Sequence, residues 1–179
     1  PAPLLPIHLL WINLVTDGLP ALCLATDPID PEVMKRKPRH RSEKITDRGF
    51  LGTMALTGGL TAGVSFAVFF HALQTQTPEV ARTHAFTVLV FAELLRAFGA
   101  RSETKPVWRI SLLTNLQLSL VVAVSFGLQL WSQHNATLGR WLKTSALPLT
   151  DCLTLLAIGA IPLVVLEITK LIRRTRSPQ

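Results

Sequence analysis

Apolar residues fall in five long runs, separated by polar segments rich in charge or proline. The runs cover residues 4–25, 50–73, 85–100, 110–131 and 147–168. Most of them approach the roughly 20 residues that a helix needs to cross a bilayer. We therefore predict an all-α protein, a polytopic membrane bundle of five transmembrane helices whose main partner is the lipid bilayer.

The run at residues 85–100 is the shortest, and it contains Glu93 and Arg96. Charged side chains are costly in hydrocarbon and usually face the interior of a bundle, a wet cavity or the membrane rim. We expect this run to span the membrane only with both groups turned inward or toward the rim.

The net charge of +7 comes from basic residues that alternate with the apolar runs. Seven lie in the segment after the first run, four at the end of the third run and in the segment after it, and four in the tail, which leaves only Arg82, Arg140 and Lys143 in the other loops. The positive-inside rule then places the N-terminus outside, the C-terminus in the cytoplasm and residues 26–49 in a cytoplasmic loop. Membrane topology explains these charges better than nucleic-acid binding, which we exclude.

The first run carries an unusual polar set: Asn13, Thr16, Asp17, Gly18 and Pro20. A carboxylate at bilayer depth costs about 2.5 to 3.5 kcal/mol and calls for a partner, a cavity or a cation. In an α-helix the first three residues share a face, at i, i+3 and i+4. Glycine and proline weaken the helix, so we predict an interruption near Gly18 and Pro20 whose unwound carbonyls lie beside an ion site.

Simpler interpretations exist for these residues. Asp17 could make a polar contact between helices without any ion. Thr16 could bond only the carbonyl one turn earlier, as hydroxyls commonly do in membrane helices. The flanking helix breakers favour the ion site.

Four segments together resemble one family. Residues 5–21 read LPIHLLWINLVTDGLPA and are similar to the sixth transmembrane helix of P-type cation-transporting ATPases, most of all the sarco/endoplasmic reticulum calcium pump type and its bacterial relatives. Residues 27–39 resemble the loop between helices six and seven, and residues 87–93, TVLVFAE, resemble helix eight. Pro162 and the residues around Glu167 resemble helix ten.

This resemblance implies that residues 1–179 are the C-terminal transmembrane domain of such a pump, helices six to ten. It implies that Asn13, Thr16, Asp17 and Glu93 are cation ligands, with Asp17 bridging two calcium ions. Threonine at position 16 resembles the two-site class, because other calcium pumps usually carry methionine there. The chain is then expected to be a fragment whose missing N-terminal part, helices four and five included, supplies further ligands.

Arg96 departs from the resemblance, because two-site calcium pumps carry an uncharged polar residue there. It follows Glu93 by three residues and could pair with it, cancelling the charge that a cation needs. Alternatively, it extends to the cytoplasmic rim. Both interpretations remain open at this point.

The candidate ligands are all oxygen donors, which suits Ca²⁺ and argues against the soft metals that histidine and cysteine clusters bind. The resemblance implies ATP-driven export of Ca²⁺, with ATP and Mg²⁺ bound by absent domains. This segment has no phosphorylated Asp-Lys-Thr-Gly-Thr run and holds no catalytic residue, so it would be enzymatic only within the whole pump. The alternatives are a pump for Na⁺, H⁺ or Mn²⁺, and a non-enzymatic bundle or secondary carrier. We expect a bacterial inner membrane.

Overall fold

The computed structural model describes residues 2–29, 34, 48–102 and 105–176. Regular secondary structure in these residues is helical throughout, as predicted. The first apolar run forms α1 (Pro6–Trp11), a π-helical segment (Ile12–Gly18) and α2 (Leu19–Ala25) in direct succession.

Most of the remaining helices follow the predicted runs, and one further helix, Ala136–Leu142, lies between the fourth and fifth runs. They are α3 (Arg48–Thr75), α4 (Pro78–Gly99), α5 (Leu116–His134), α6 (Ala136–Leu142), α7 (Leu149–Gly159) and α8 (Ile161–Arg176). Two short 3₁₀ helices, Val107–Arg109 and Leu112–Asn115, lead into α5. Most of the predicted loop at 26–49 lies outside the described residues.

Four helical stretches among the described residues are long and apolar enough to cross a membrane. They are Pro6–Ala25, Gly49–Thr75, Leu112–His134 and Leu149–Arg173. The all-helical, polytopic membrane fold is therefore confirmed. The predicted third span differs: it lies in α4, which begins earlier, at Pro78, and is not among these four, so a fifth crossing stays a prediction.

Helix α4 is the centre of the bundle. It contacts the π-helical segment as well as α2, α3, α5, α7 and α8, and more of its side chains are buried than in any other described helix. Phe86, Val88, Val90, Phe91 and Leu94 together form much of the core. The least apolar of the predicted spans is thus the one that the other helices surround, as its charges require.

Polar side chains on α4 have partners on neighbouring elements. Thr83 accepts a hydrogen bond from the backbone N–H of Ser145 at 3.0 Å, and Thr87 accepts one from the side-chain amide of Gln133 at 2.5 Å. Helices in lipid gain little from the hydrophobic effect between them, so packing and such hydrogen bonds stabilise the bundle.

Glycine allows α7 to approach α4 closely. A Cβ atom at Gly159 would lie 3.2 Å from the backbone nitrogen of Ala92 and 3.2 Å from the carbonyl oxygen of Val88. Beyond this contact the last span breaks at Ala160, because Pro162 has no N–H to continue the ladder and a new helix starts at Ile161.

One end of the bundle, which we call the Asp27 end, is held by a buried ion pair. Arg101, which follows α4, donates to both carboxylate oxygens of Asp27 at 2.9 and 3.1 Å, and the Arg101 side chain is 5% exposed. Asn115 donates to Asp27 at 2.9 Å and to the Cys23 carbonyl at 3.0 Å. The cluster joins the ends of α2 and α4 to the start of α5.

Partial burial by itself would raise the pKa of Asp27. The hydrogen bonds from Arg101 and Asn115, with the positive charge of Arg101, outweigh burial and hold the pKa below its ordinary value. The ionised form of Asp27 is therefore the one that stabilises the fold.

We predict that Gly159→Val destabilises the protein by about 1 to 3 kcal/mol, the usual cost of overpacking, because α7 must move away from α4. The unfolding midpoint of the purified protein in detergent measures this. Gly127→Val is the matched control, since a Cβ at Gly127 meets nothing within 4 Å. Equal losses in both variants would contradict the close contact.

We predict that Asp27→Asn lowers the free energy of unfolding by about 1.5 to 3 kcal/mol at neutral pH, the range for hydrogen bonds to charged groups. A depressed pKa stabilises the folded state above the unfolded pKa, and this contribution is lost as pH falls through the folded pKa. The difference between wild type and variant should be constant above about pH 5 and shrink below about pH 4. Glu79→Gln, at an exposed position, is the control, and a difference independent of pH down to acid unfolding would contradict the ionised role.

Candidate cation site

The interruption predicted near Gly18 and Pro20 takes the form of a π-helix. The backbone stays right-handed and helical at Gly18 (φ −64°, ψ −51°) and at Leu19 (φ −67°, ψ −48°), so the predicted unwinding does not occur. A Cβ at Gly18 would lie 3.0 Å from the carbonyl oxygen of Asn13, which explains glycine there. Single π-helical turns are frequent at functional sites.

A cavity of about 550 Å³ lies between the first span, α3, α4 and α8. Thr16 and Asp17 line it from the π-helical segment, and Glu93 and Arg96 line it from α4. It extends toward the Asp27 end, where its walls include Thr53, Thr57, Gly99, Thr169, Lys170 and Arg173. The structure thus brings two intramembrane carboxylates to one polar cavity with room for many waters, since each takes about 30 Å³.

Thr16 and Asp17 present different environments. Thr16 is buried, and its hydroxyl donates to the Ile12 carbonyl at 2.8 Å, the simpler of the two interpretations of this residue. The lone pairs of that oxygen can still accept a cation. Asp17 is exposed toward the cavity, at the point where the first span faces α4.

Asn13 does not join them. Its side chain is exposed and does not line the cavity. The expected common face of Asn13, Thr16 and Asp17 rests on 3.6 residues per turn, and the wider π-helical turn between Ile12 and Gly18 changes that spacing.

Glu93 and Arg96 form an ion pair one turn apart on α4. The Glu93 side chain is 12% exposed and that of Arg96 is 39% exposed. Of the two arrangements open to Arg96, pairing with Glu93 and extending away to the rim, the structure contains the first. The positive charge of Arg96 also acts on Asp17.

Lys170 lines the cavity at the Asp27 end. Its ammonium group donates to Glu167 at 2.7 Å and to the carbonyl oxygen of Gly99, at the end of α4, at 2.7 Å. The other oxygen of Glu167 accepts from the backbone N–H of Val107 at 2.9 Å. Lys170 therefore caps α4 from α8 and is compensated by its own carboxylate partner.

Besides the bond from Asn115 to the Cys23 carbonyl, contacts from α4, α5 and α6 hold the first span. The indole N–H of Trp11 donates to Gln129 at 3.0 Å, and the Ser125 hydroxyl donates to the Val15 carbonyl at 3.0 Å. His8 is fully buried, stacks on Phe86 with ring centroids 4.4 Å apart, and donates from Nε2 to the Leu142 carbonyl at 2.7 Å. Sequence reasoning did not identify these pairs; polar side chains inside apolar runs were the available signal.

The cavity offers hard oxygen ligands. Among the described residues, no group of three or more His, Cys, Asp or Glu side chains is placed to hold a metal. Two carboxylates and a hydroxyl are fewer than the 6 to 8 oxygens that Ca²⁺ takes, so water or other parts of a larger protein must complete any coordination shell.

Comparison with known proteins shows the family to which the chain belongs. The chain matches the family described as "Cation transporting ATPase, C-terminus" over residues 1–172. It is 36% identical to "Calcium-transporting ATPase 1" of Bacillus cereus, covering 96% of this chain and 21% of that protein. It is 38% identical to "Calcium-transporting ATPase" of Bacillus subtilis, covering 97% and 20%.

A human protein, "Calcium-transporting ATPase type 2C member 1", is 30% identical over 98% of this chain and 19% of its own length. The chain thus spans about one fifth of the length of the curated relatives that it matches. Similar relatives come from more than one kind of calcium-transporting ATPase, so they indicate the broader family and not one subfamily. On the strength of its match over nearly its whole length, the chain belongs to the family of C-terminal segments of cation-transporting ATPases.

Proposed function

We propose that this chain is the membrane part of an ATP-driven pump that moves Ca²⁺ out of the cytoplasm. The observation that carries the proposal is the cavity that Thr16, Asp17 and Glu93 share inside a bundle of apolar helices. Carboxylates at such depth are expensive unless a cation or a fixed charge compensates them. The names of the relatives support Ca²⁺ as that cation.

Asp17 is the central ligand in this proposal. It lines the cavity and is the more accessible of the two carboxylates. Thr16 contributes a neutral oxygen beside it. Glu93 adds a second carboxylate, which Arg96 shares, and Asn13 would join only through a rotation of the π-helical segment.

The cavity suggests the direction of transport. It extends from Asp17 toward the Asp27 end, the end that the basic segments mark as cytoplasmic. An ion would enter there and leave on the other side. Binding of ATP and Mg²⁺, and the phosphorylation that drives the change, belong to the parts of the pump outside this chain.

Within the family, Thr16 favours the sarco/endoplasmic reticulum type of site over the types that usually carry methionine at this position. We propose a bacterial inner membrane as the location, because the relatives with the higher identities are bacterial. We also propose that the N-terminus lies outside, on the basis of the basic segments and the positive-inside rule.

One observation favours a second candidate, a pump for another hard cation such as Na⁺, H⁺ or Mn²⁺. Arg96 neutralises part of the negative charge in the cavity, and a site with less negative charge suits a cation of lower charge. Phosphorylation that ignores micromolar calcium but responds to one of these ions would favour this candidate.

We predict that Asp17→Asn in the full-length pump abolishes calcium-stimulated phosphorylation by ATP, because the variant keeps the shape and loses the charge. Phosphorylation by inorganic phosphate, the reverse of hydrolysis, needs no bound ion and should persist, which shows that the variant is folded. Glu79→Gln, an exposed carboxylate outside the cavity, is the matched control. Unchanged calcium dependence in Asp17→Asn would refute the proposed site.

A further inference from the structure

We propose that the end of the bundle opposite the Asp27 end holds a binding site for the phosphodiester of an anionic lipid headgroup. The site is a cavity of about 570 Å³, which we call the outer cavity, between the start of α4, the end of α5, and α6 with the residues that follow it. Ligand pockets usually have volumes of about 300 to 1,000 Å³. The inference goes beyond the proposed function, because it does not depend on which ion the pump moves.

The outer cavity collects the basic residues of the outer loops. The positive-inside rule leaves only Arg82, Arg140 and Lys143 in those loops, and all three line this cavity. Arg82 belongs to α4, whereas the other two lie in α6 and directly after it. Glu79 is the one acidic residue among the described residues of the lining, so three positive charges and one negative charge leave a formal charge of +2. A concave surface of this charge attracts an anion.

Both arginines are fixed at one nitrogen and keep other donors free. Arg82 donates from Nε to the Ala2 carbonyl at 3.2 Å, and Arg140 donates from Nε to the Ala136 carbonyl at 3.1 Å. The ion pairs between described residues involve other groups, so neither arginine is neutralised by a carboxylate among them. A guanidinium held at Nε presents its two terminal nitrogens as a fork, which matches two oxygens of a phosphate.

Lys143 stands at a position where the backbone favours glycine. It is the C-cap of α6, with φ 51° and ψ 44°, and among the described residues it is the one non-glycine residue with positive φ. Helices often end in this left-handed conformation, but usually with glycine, because a side chain is strained there. The Lys143 backbone caps α6, whereas its ammonium group has no partner among the described residues. The lysine therefore costs stability and adds a positive charge to the outer cavity.

Two tryptophans indicate the depth of the outer cavity in the membrane. Trp131, near the end of α5, is 55% exposed, and Trp141, in α6, is 75% exposed. Exposed tryptophans are typical of the membrane–water interface, where their rings lie at the level of the headgroups. Trp141 directly follows Arg140, and Trp131 lies one turn before the lining residue His134. The phosphate of a lipid is at this depth, which favours a lipid over a soluble phosphate.

The charge of the headgroup determines which lipid is preferred. Phosphatidylglycerol offers a phosphodiester without a positive group. The choline of phosphatidylcholine adds a positive charge, which the three basic side chains repel. A bound anionic headgroup would join α4 to α6 and, through Arg82 and Ala2, to the residues before α1.

The test measures phosphatidylglycerol bound to the purified full-length pump in detergent micelles that contain equal amounts of phosphatidylglycerol and phosphatidylcholine. We expect saturable binding with a preference for phosphatidylglycerol in the wild type. Arg140→Gln and Lys143→Gln should each weaken this binding about fivefold, the usual effect of one basic residue at an anionic surface. Arg109→Gln removes an exposed basic residue between α4 and α5, outside the outer cavity, and should bind like the wild type.

A second variant at the same position separates binding from folding. Lys143→Gly relieves the left-handed strain, so its unfolding midpoint without phosphatidylglycerol should equal or exceed that of the wild type. Its binding of phosphatidylglycerol should nevertheless weaken as much as in Lys143→Gln. A Lys143→Gly protein that binds this lipid as tightly as the wild type would contradict the proposed role of the lysine.

Three other results would overturn the inference. One is equal binding of the two lipids by the wild type. Another is an equal loss in Arg140→Gln and Arg109→Gln, which would indicate a general attraction between the protein and anionic micelles. The third is displacement of phosphatidylglycerol by an equal concentration of inorganic phosphate, which would identify a site for a soluble anion and not for a lipid.

Discussion

The need to partner every polar group of α4 inside the bundle is the constraint on which this structure depends. Thr83 and Thr87 bond groups of Ser145 and Gln133, Glu93 pairs with Arg96, and the last carbonyl is capped by Lys170 from another helix. Each partner comes from α4 itself, from a helix packed against it or, for Ser145, from the segment between α6 and α7. A helix with this many polar groups is stable at bilayer depth because its neighbours cover most of it and its polar groups have partners.

That constraint also explains where the cavity lies. The first span and α4 meet with carboxylates on facing surfaces, and two such charges cannot pack directly together. The space between them is filled by water, by a cation or by a fixed positive charge. The bundle uses the last of these at Glu93 and leaves Asp17 open. The charged side chains that determine how the core packs are therefore the same ones that would hold an ion.

Much of the fold could be predicted from the sequence, because apolar runs of sufficient length have few alternatives to membrane helices. Asp17 could be singled out for the same reason, as a costly charge in such a run. The limits of the third span could not be predicted, because the extent of α4 depends on the helices packed around it and is not marked by its own composition. The cluster of Asp27, Arg101 and Asn115 was not predicted either, since its members come from three separate segments and show no local pattern.

The candidate cation site could likewise be predicted only in part. A spacing argument placed Asn13 beside Thr16 and Asp17, and it failed at Asn13 because it assumed an α-helix throughout. The pair of Glu93 and Arg96 was within reach of sequence reasoning, because three residues on one helix suffice to define it. What the sequence left open was the choice between pairing and extending away, which depends on the space around Arg96.

The π-helical segment has a consequence for register. A π-turn holds one residue more than an α-turn, so a regular α-helix through the same residues would turn everything before Ile12 by about 100° relative to Asp17. His8 would then swing away from Phe86 and from the Leu142 carbonyl, while Asp17 stayed in place. The extra residue thus lets one continuous helix satisfy two docking orientations that a regular α-helix of the same length cannot satisfy together.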